Sequence, residues 1–187
     1  MIPRFKMGMD SVFRTAGFCF VLFLFFSCSE SPTTTEENVF NSENYFSAEA
    51  SRLAAKLKTV TKVVGRNSEM DSGVVTITDW KKELEPFSQC NISKPTFRNS
   101  YRVDSVSGSN TRHITYTAME PRLVVRMLEI NFSGDQVAAV HMVTAEENQL
   151  YSATRNLHYV PDSGYRISGK QEMAMGKKTD YFVEASW

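Results

Sequence analysis

From Tyr101 onward the chain repeats one pattern: short stretches of alternating side chains, separated by turns of two to five residues. Residues 101–106, 111–118, 123–132, 137–144, 150–160, 165–173 and 179–187 read as strands, rich in β-branched and aromatic residues. Between them lie Gly108-Ser109-Asn110, Ser133-Gly134-Asp135-Gln136, Pro161-Asp162-Ser163-Gly164 and Gly176-Lys177-Lys178. The Pro-Asp-Ser-Gly stretch is the strongest of these, because Pro presets φ and Gly tolerates positive φ. Turns this short leave no room for a crossover, so neighbouring strands must run antiparallel, as a meander.

Upstream, residues 59–66 and 74–78 read as a hairpin, with the polar stretch 67–73 as a long loop. Two helical stretches frame it. In residues 43–58, Phe46, Ala50, Leu53 and Leu57 recur at spacings of four, three and four, which is one helical face. Glu43 and Glu49 come early and Arg52, Lys56 and Lys58 late, matching the helix dipole. The apolar face is narrow and both charge signs are present, which favours core packing over lying on a membrane. Asp79 suits an N-cap for a second helix from Trp80 to about Gln89, with Trp80, Leu84 and Phe87 on one face. Pro86 ends or kinks it, and Lys94-Pro95 marks an extended link.

The expected class is therefore α+β: an N-terminal helix and a short second helix on an antiparallel meander of about six to eight strands. The apolar positions suggest which face is covered. Val124, Leu128, Ile130 and Phe132 share a face with Arg126, opposite Leu123, Val125 and Met127. Tyr151, Ala153, Leu157 and Tyr159 share another, interrupted by Arg155; Tyr165 and Ile167, then Tyr181, Val183 and Trp187, continue it. A one-sided sheet covers that face with its helices. The alternative is a sheet curled into a half-barrel around an apolar cavity.

The N-terminus reads as an address. Arg4, Lys6 and Arg14 precede the apolar run 16–26, which is 11 residues long. A spanning helix needs about 20, whereas a signal h-region has this length. Phe25-Phe26-Ser27-Cys28 then resembles the lipobox of bacterial lipoproteins, although the usual box has Leu and a small residue where this chain has Phe25 and Phe26. The resemblance covers the first 28 residues and implies a thioether-linked diacylglycerol and a palmitate-type amide chain on Cys28. It also implies outer-membrane sorting in a Gram-negative envelope, since Ser29 replaces the Asp of inner-membrane lipoproteins. Residues 1–27 are then signal peptide, 28–42 a lipidated cysteine with a polar, Pro32-containing tether, and 43–187 a single domain. Val39 and Phe40 are candidates to dock on the domain's edge. The alternative is a secreted protein cleaved near Ser29, and Met7 or Met9 are alternative starts.

Processing bounds the chemistry. Removing residues 1–27 takes three basic residues and one acidic residue, leaving 160 residues with 18 basic and 20 acidic. Nucleic-acid binders carry a basic excess, so none is expected as a partner. With Cys28 acylated, Cys90 stays alone, which excludes an internal disulfide and suits a buried apolar role.

Catalytic motifs are missing from the sequence: no Gly-x-Ser-x-Gly elbow, phosphate loop or His-Glu-x-x-His. Glu36-Glu37 and Glu146-Glu147 read as solvated loop pairs, and Asp135 and Asp162 as turn residues. The histidines, His113, His141 and His158, all fall in strands. Tight hairpins would set them against about Ser105, Ala153 and Gln136, so no two would meet and no metal site is expected. No catalytic residue, cofactor or metal is assigned. Tyr101, Tyr116, Tyr159 and Tyr165 read mainly as sheet residues rather than a stacking surface.

Two functions fit. One is a non-enzymatic lipoprotein whose sheet binds a partner or serves envelope maintenance, held to the membrane by acylated Cys28. It predicts a filled core and an exposed aromatic patch. The other is a carrier of lipid or a small hydrophobic ligand, with Val124, Leu128, Ile130, Tyr151, Leu157 and Tyr159 lining a cavity of several hundred Å³.

Overall fold

A computed structural model describes residues 39–187. Cys28, the signal stretch and the tether up to residue 38 lie outside the described residues. The elements are α1 (Ser42–Lys56), β1 (Thr59–Arg66), β2 (Glu69–Thr76), α2 (Trp80–Glu83), α3 (Glu85–Ser88), a 3-10 turn (Pro95–Phe97), then β3 (Tyr101–Ser107), β4 (Thr111–Ala118), β5 (Val125–Ser133), β6 (Gln136–Glu147), β7 (Tyr151–Val160), β8 (Gly164–Met173) and β9 (Lys178–Ser186). Among the described residues no helix is long and apolar enough to cross a membrane.

All nine strands form one antiparallel sheet in the order β2-β1-β9-β8-β7-β6-β5-β4-β3. β3 to β9 are the expected meander. The early hairpin β1–β2 then joins its far end, with Val64 opposite Val183. That long-range pairing extends the seven-stranded meander, within the six to eight strands expected, to a sheet of nine. β2 and β3 remain as edges, so the sheet is open rather than closed into a barrel.

The pleat sends alternate residues to opposite faces. One face carries Tyr116, Leu128, Met142, Leu157, Ile167 and Val183 in one row. The next row holds Ile114, Ile130, Val140, Tyr159, Tyr165 and Ala185. These belong to the same core cluster as Phe46, Ala50, Leu53, Trp80, Leu84 and Phe87. The Phe46 ring stands edge-on to Tyr159 with centroids 5.1 Å apart, and Phe87 lies 5.7 Å from Tyr165. Trp80 and Trp187 meet edge-on at 5.3 Å.

Local chemistry sets the helix ends. The Asn41 side chain accepts from the Asn44 amide at 2.9 Å, so α1 starts one residue before the expected position and Ser42 is fully buried. Phe40 packs against the core, and its amide donates to the Tyr116 hydroxyl at 3.4 Å. Asp79 caps α2 by accepting from the Lys82 amide at 3.1 Å. The single helix expected from Trp80 to about Gln89 is instead two one-turn helices that break at Leu84, with Pro86 in the first turn of α3. There its missing N–H would have no partner anyway.

Two strand expectations need correction. β2 begins at Glu69, not Val74, because Asn67 adopts φ 54° and turns the chain in two residues. An edge strand exposed along its whole length has no apolar alternation to announce it. In β5 the register shifts between Val125 and Met127, so Arg126 is an extra residue. This bulge puts Val125 on the core side with Leu128, and leaves Val124 46% exposed. Val124 was expected inside and Val125 outside.

Candidate functional site

The opposite face of the sheet is mainly polar, with Met127, Val143 and Phe182 among its residues. One row crosses β4 to β9 as Thr115, Glu129, His141, His158, Arg166 and Glu184, each opposite the next. His141 and His158 are therefore direct cross-strand partners, with ring centroids 6.2 Å apart and planes inclined at 63°. This overturns the expectation that no two histidines pair. β6 runs on to Glu147, so the turn comes later than a strand ending at Thr144 implies. Asn148 holds that turn by accepting from the Leu150 and Tyr151 amides at 2.8 and 3.0 Å. His113 stands opposite Val106 rather than Ser105.

The row is hydrogen-bonded. His141 Nδ1 lies 2.9 Å from Glu129 Oε2. A carboxylate only accepts, so Nδ1 carries a proton, and in the neutral ring Nε2 then keeps its lone pair. Arg166 pairs with Glu184 at 2.6 Å and lies 4.7 Å over the Phe182 ring. His113 sits one row away, 2.6 Å from Asn131 Oδ1, with its Nε2 2.9 Å from Thr115 Oγ1. All three histidines of the chain thus share this face.

Beside the row, a depression of about 220 Å³ is lined by Gly65, Thr154, Asn156, Ser168, Lys170 and Phe182. Gly65 lies directly opposite Phe182, and a Cβ there would meet the Phe182 ring. On the core side the neighbouring Tyr181 covers Gly169 in the same way. A bare glycine opposite an aromatic lets the ring lie flat along the strand.

The core side holds further titratable groups. The Tyr159 hydroxyl donates to Glu49 at 2.5 Å; Arg52 grips Glu49 with two bonds of 2.8 Å and reaches Asp162 at 2.5 Å. Burial, then Glu49, holds the Tyr159 phenol far above its ordinary range, while Arg52 holds the exposed Asp162 carboxyl below its own. Tyr165 donates to Glu83, which Lys62 also contacts at 2.7 Å. Glu146, expected in a solvated turn, lies in β6 and accepts from Arg155 at 3.2 Å and Tyr151 at 3.3 Å.

Cys90 is free and buried; burial pushes its thiol up to about 11, and its Sγ donates to the Pro86 carbonyl at 3.3 Å. That is the opposite of an activated nucleophile. Of the residues expected to line a carrier cavity, Leu128, Ile130, Leu157 and Tyr159 are fully buried in the core cluster, Tyr151 is half-buried and Val124 points outward. Among the described residues no group of three or more His, Cys, Asp and Glu converges as a metal centre. The cross-strand histidine pair was the feature sequence reasoning missed. The signal that would have found it is the Asn148 turn, which fixes the register.

No family model, curated protein or solved structure matches this chain.

Proposed function

We propose that this chain is a lipid-anchored, non-enzymatic binding module of a bacterial envelope, held in the outer membrane by acylated Cys28. Its polar sheet face engages a protein partner or serves envelope upkeep. The observation that carries the reading is the asymmetry of the sheet. One face is filled by apolar side chains that join α1, α2 and α3 in one core. The other offers a broad surface of hydrogen-bonding side chains, from Thr115 to Glu184, beside the depression at Asn156 and Lys170. In this reading the helices serve as the cover of the core. A filled core favours a binding module over a carrier, which needs space between sheet and helices. The anchor rests on the basic start, the short apolar run and the Ser27-Cys28 junction.

Intact-mass measurement on protein extracted from native membranes tests both parts. An acylated Cys28 without further mass supports the module. A co-purifying lipid would favour the carrier, and an unacylated N-terminus beyond Cys28 would sink the anchor. Replacing Cys28 with Ala should release the protein from the membrane fraction. A photo-crosslinker at Asn156, with one at Ser47 on α1 as control, should form an adduct in cells only at Asn156.

A further inference from the structure

We propose that His141 and His158 form a two-imidazole site for a divalent transition-metal ion, with Zn²⁺ as its simplest occupant. The two residues are direct partners across β6 and β7 and point to the same face. A metal about 2.1 Å from one nitrogen of each ring sets the ring centres roughly 5–6 Å apart, and the observed spacing is 6.2 Å. Small χ rotations of half-exposed and exposed rings close the difference.

The surroundings are arranged for this. Glu129 holds the Nδ1 proton of His141 at 2.9 Å, which presents Nε2 as the donor atom. A carboxylate that orients a ligating histidine through its other nitrogen is the usual outer shell of a zinc ligand. The His158 side chain makes no hydrogen bond to another described residue, so the imidazole loses no such partner on metal binding. Arg166, next in the row beyond His158, carries an opposing charge, and its bond to Glu184 at 2.6 Å offsets it. On the other side, Thr115 is neutral, and His113 is engaged with Asn131 and Thr115. Imidazole donors select zinc, copper or nickel over magnesium or calcium. Two protein ligands leave the remaining positions open to water or to a donor from a partner. Protons compete for the same nitrogens, so acidification weakens the site. The inference stands whether or not the face binds a partner, because the ion alone is the probe.

The test is calorimetric titration of the untagged full chain, in detergent, with Zn²⁺. The sequence contains no histidine besides these three, so imidazole background is small. One saturable ion per chain is expected. His141→Ala and His158→Ala should each abolish it, Glu129→Gln should weaken it roughly tenfold, and His113→Ala should leave it unchanged. His158→Gln serves if an alanine variant misfolds, and circular dichroism checks each fold. Imidazole NMR signals should move on Zn²⁺ addition for His141 and His158 and stay fixed for His113. Absence of saturable binding by the wild type, equal binding by both folded histidine variants, or shifts centred on His113 would each overturn the proposal.

Discussion

Tyr159 and Glu49 meet where the sheet touches α1: the phenol of a fully buried tyrosine donates to the carboxylate over 2.5 Å. Arg52 grips the same carboxylate with two further bonds, and its guanidinium extends to Asp162 in the β7–β8 turn. Glu49 therefore ties the helix to a central strand, and its neighbour Arg52 ties the helix to the turn that follows. Tyr159→Phe removes one donor and leaves Arg52 in place, so it should cost about 1–2 kcal/mol. Glu49→Ala should cost more, because it orphans the buried phenol and releases Arg52. Urea denaturation of the two variants checks the order, and equal stability to wild type would show that this junction carries little of the fold.

Buried phenols set the response to alkali. Burial raises Tyr101 to about 12 and holds Tyr45, Tyr159 and Tyr165 higher still, and it raises Cys90 to about 11. The ordinary values are 10.0 for the phenols and 9.0 for the thiol. The native state therefore keeps protons that the unfolded chain gives up, so stability is full below about pH 9 and falls as the pH rises further. Tyrosinate absorbance should appear in two stages, exposed phenols first and the buried set together with loss of near-ultraviolet circular dichroism. A single gradual titration of all seven tyrosines in folded protein would contradict this.

Gly164 and Gly73 should respond oppositely to the same change. Gly164 opens β8 at φ 148°, and a Cβ there would collide with the carbonyl oxygen of Ala185. Backbone cannot step aside as a side chain can, so Gly164→Ala should cost more than about 2 kcal/mol. At Gly73, on the edge strand β2, a Cβ meets nothing within 4 Å. Gly73→Ala should be neutral or stabilise by up to about 1 kcal/mol. Melting temperatures of the two variants decide it.

The sequence was most legible where chemistry acts locally. Alternation with Gly- and Pro-marked turns located β3 to β9 closely, and Asp79 capped the helix it was expected to cap. Legibility failed where position depends on a partner. β1 pairing with β9 joins residues more than a hundred apart, and nothing near Val64 points to Val183. The edge strand β2 lacks apolar alternation because no second element covers it. The histidine pair depended on where β6 ends, and that is set by one asparagine in the following turn. A shift of register moves every pairing on the strand.

The β5 bulge offers the sharpest check on these registers, since it assigns opposite fates to adjacent, chemically identical residues. Period-two reading without a bulge buries Val124 and exposes Val125. The extra residue Arg126 reverses this: Val125 is 8% exposed and Val124 46%. Val125→Ala deletes two buried carbons and should cost about 1–2 kcal/mol. Val124→Ala should stay within about 0.5 kcal/mol of wild type, as surface changes do. Chemical denaturation of the pair measures the difference directly. If Val124→Ala proves the costlier, β5 runs without its bulge, and the pairing of its first residues with β6 shifts while Glu129 stays beside His141.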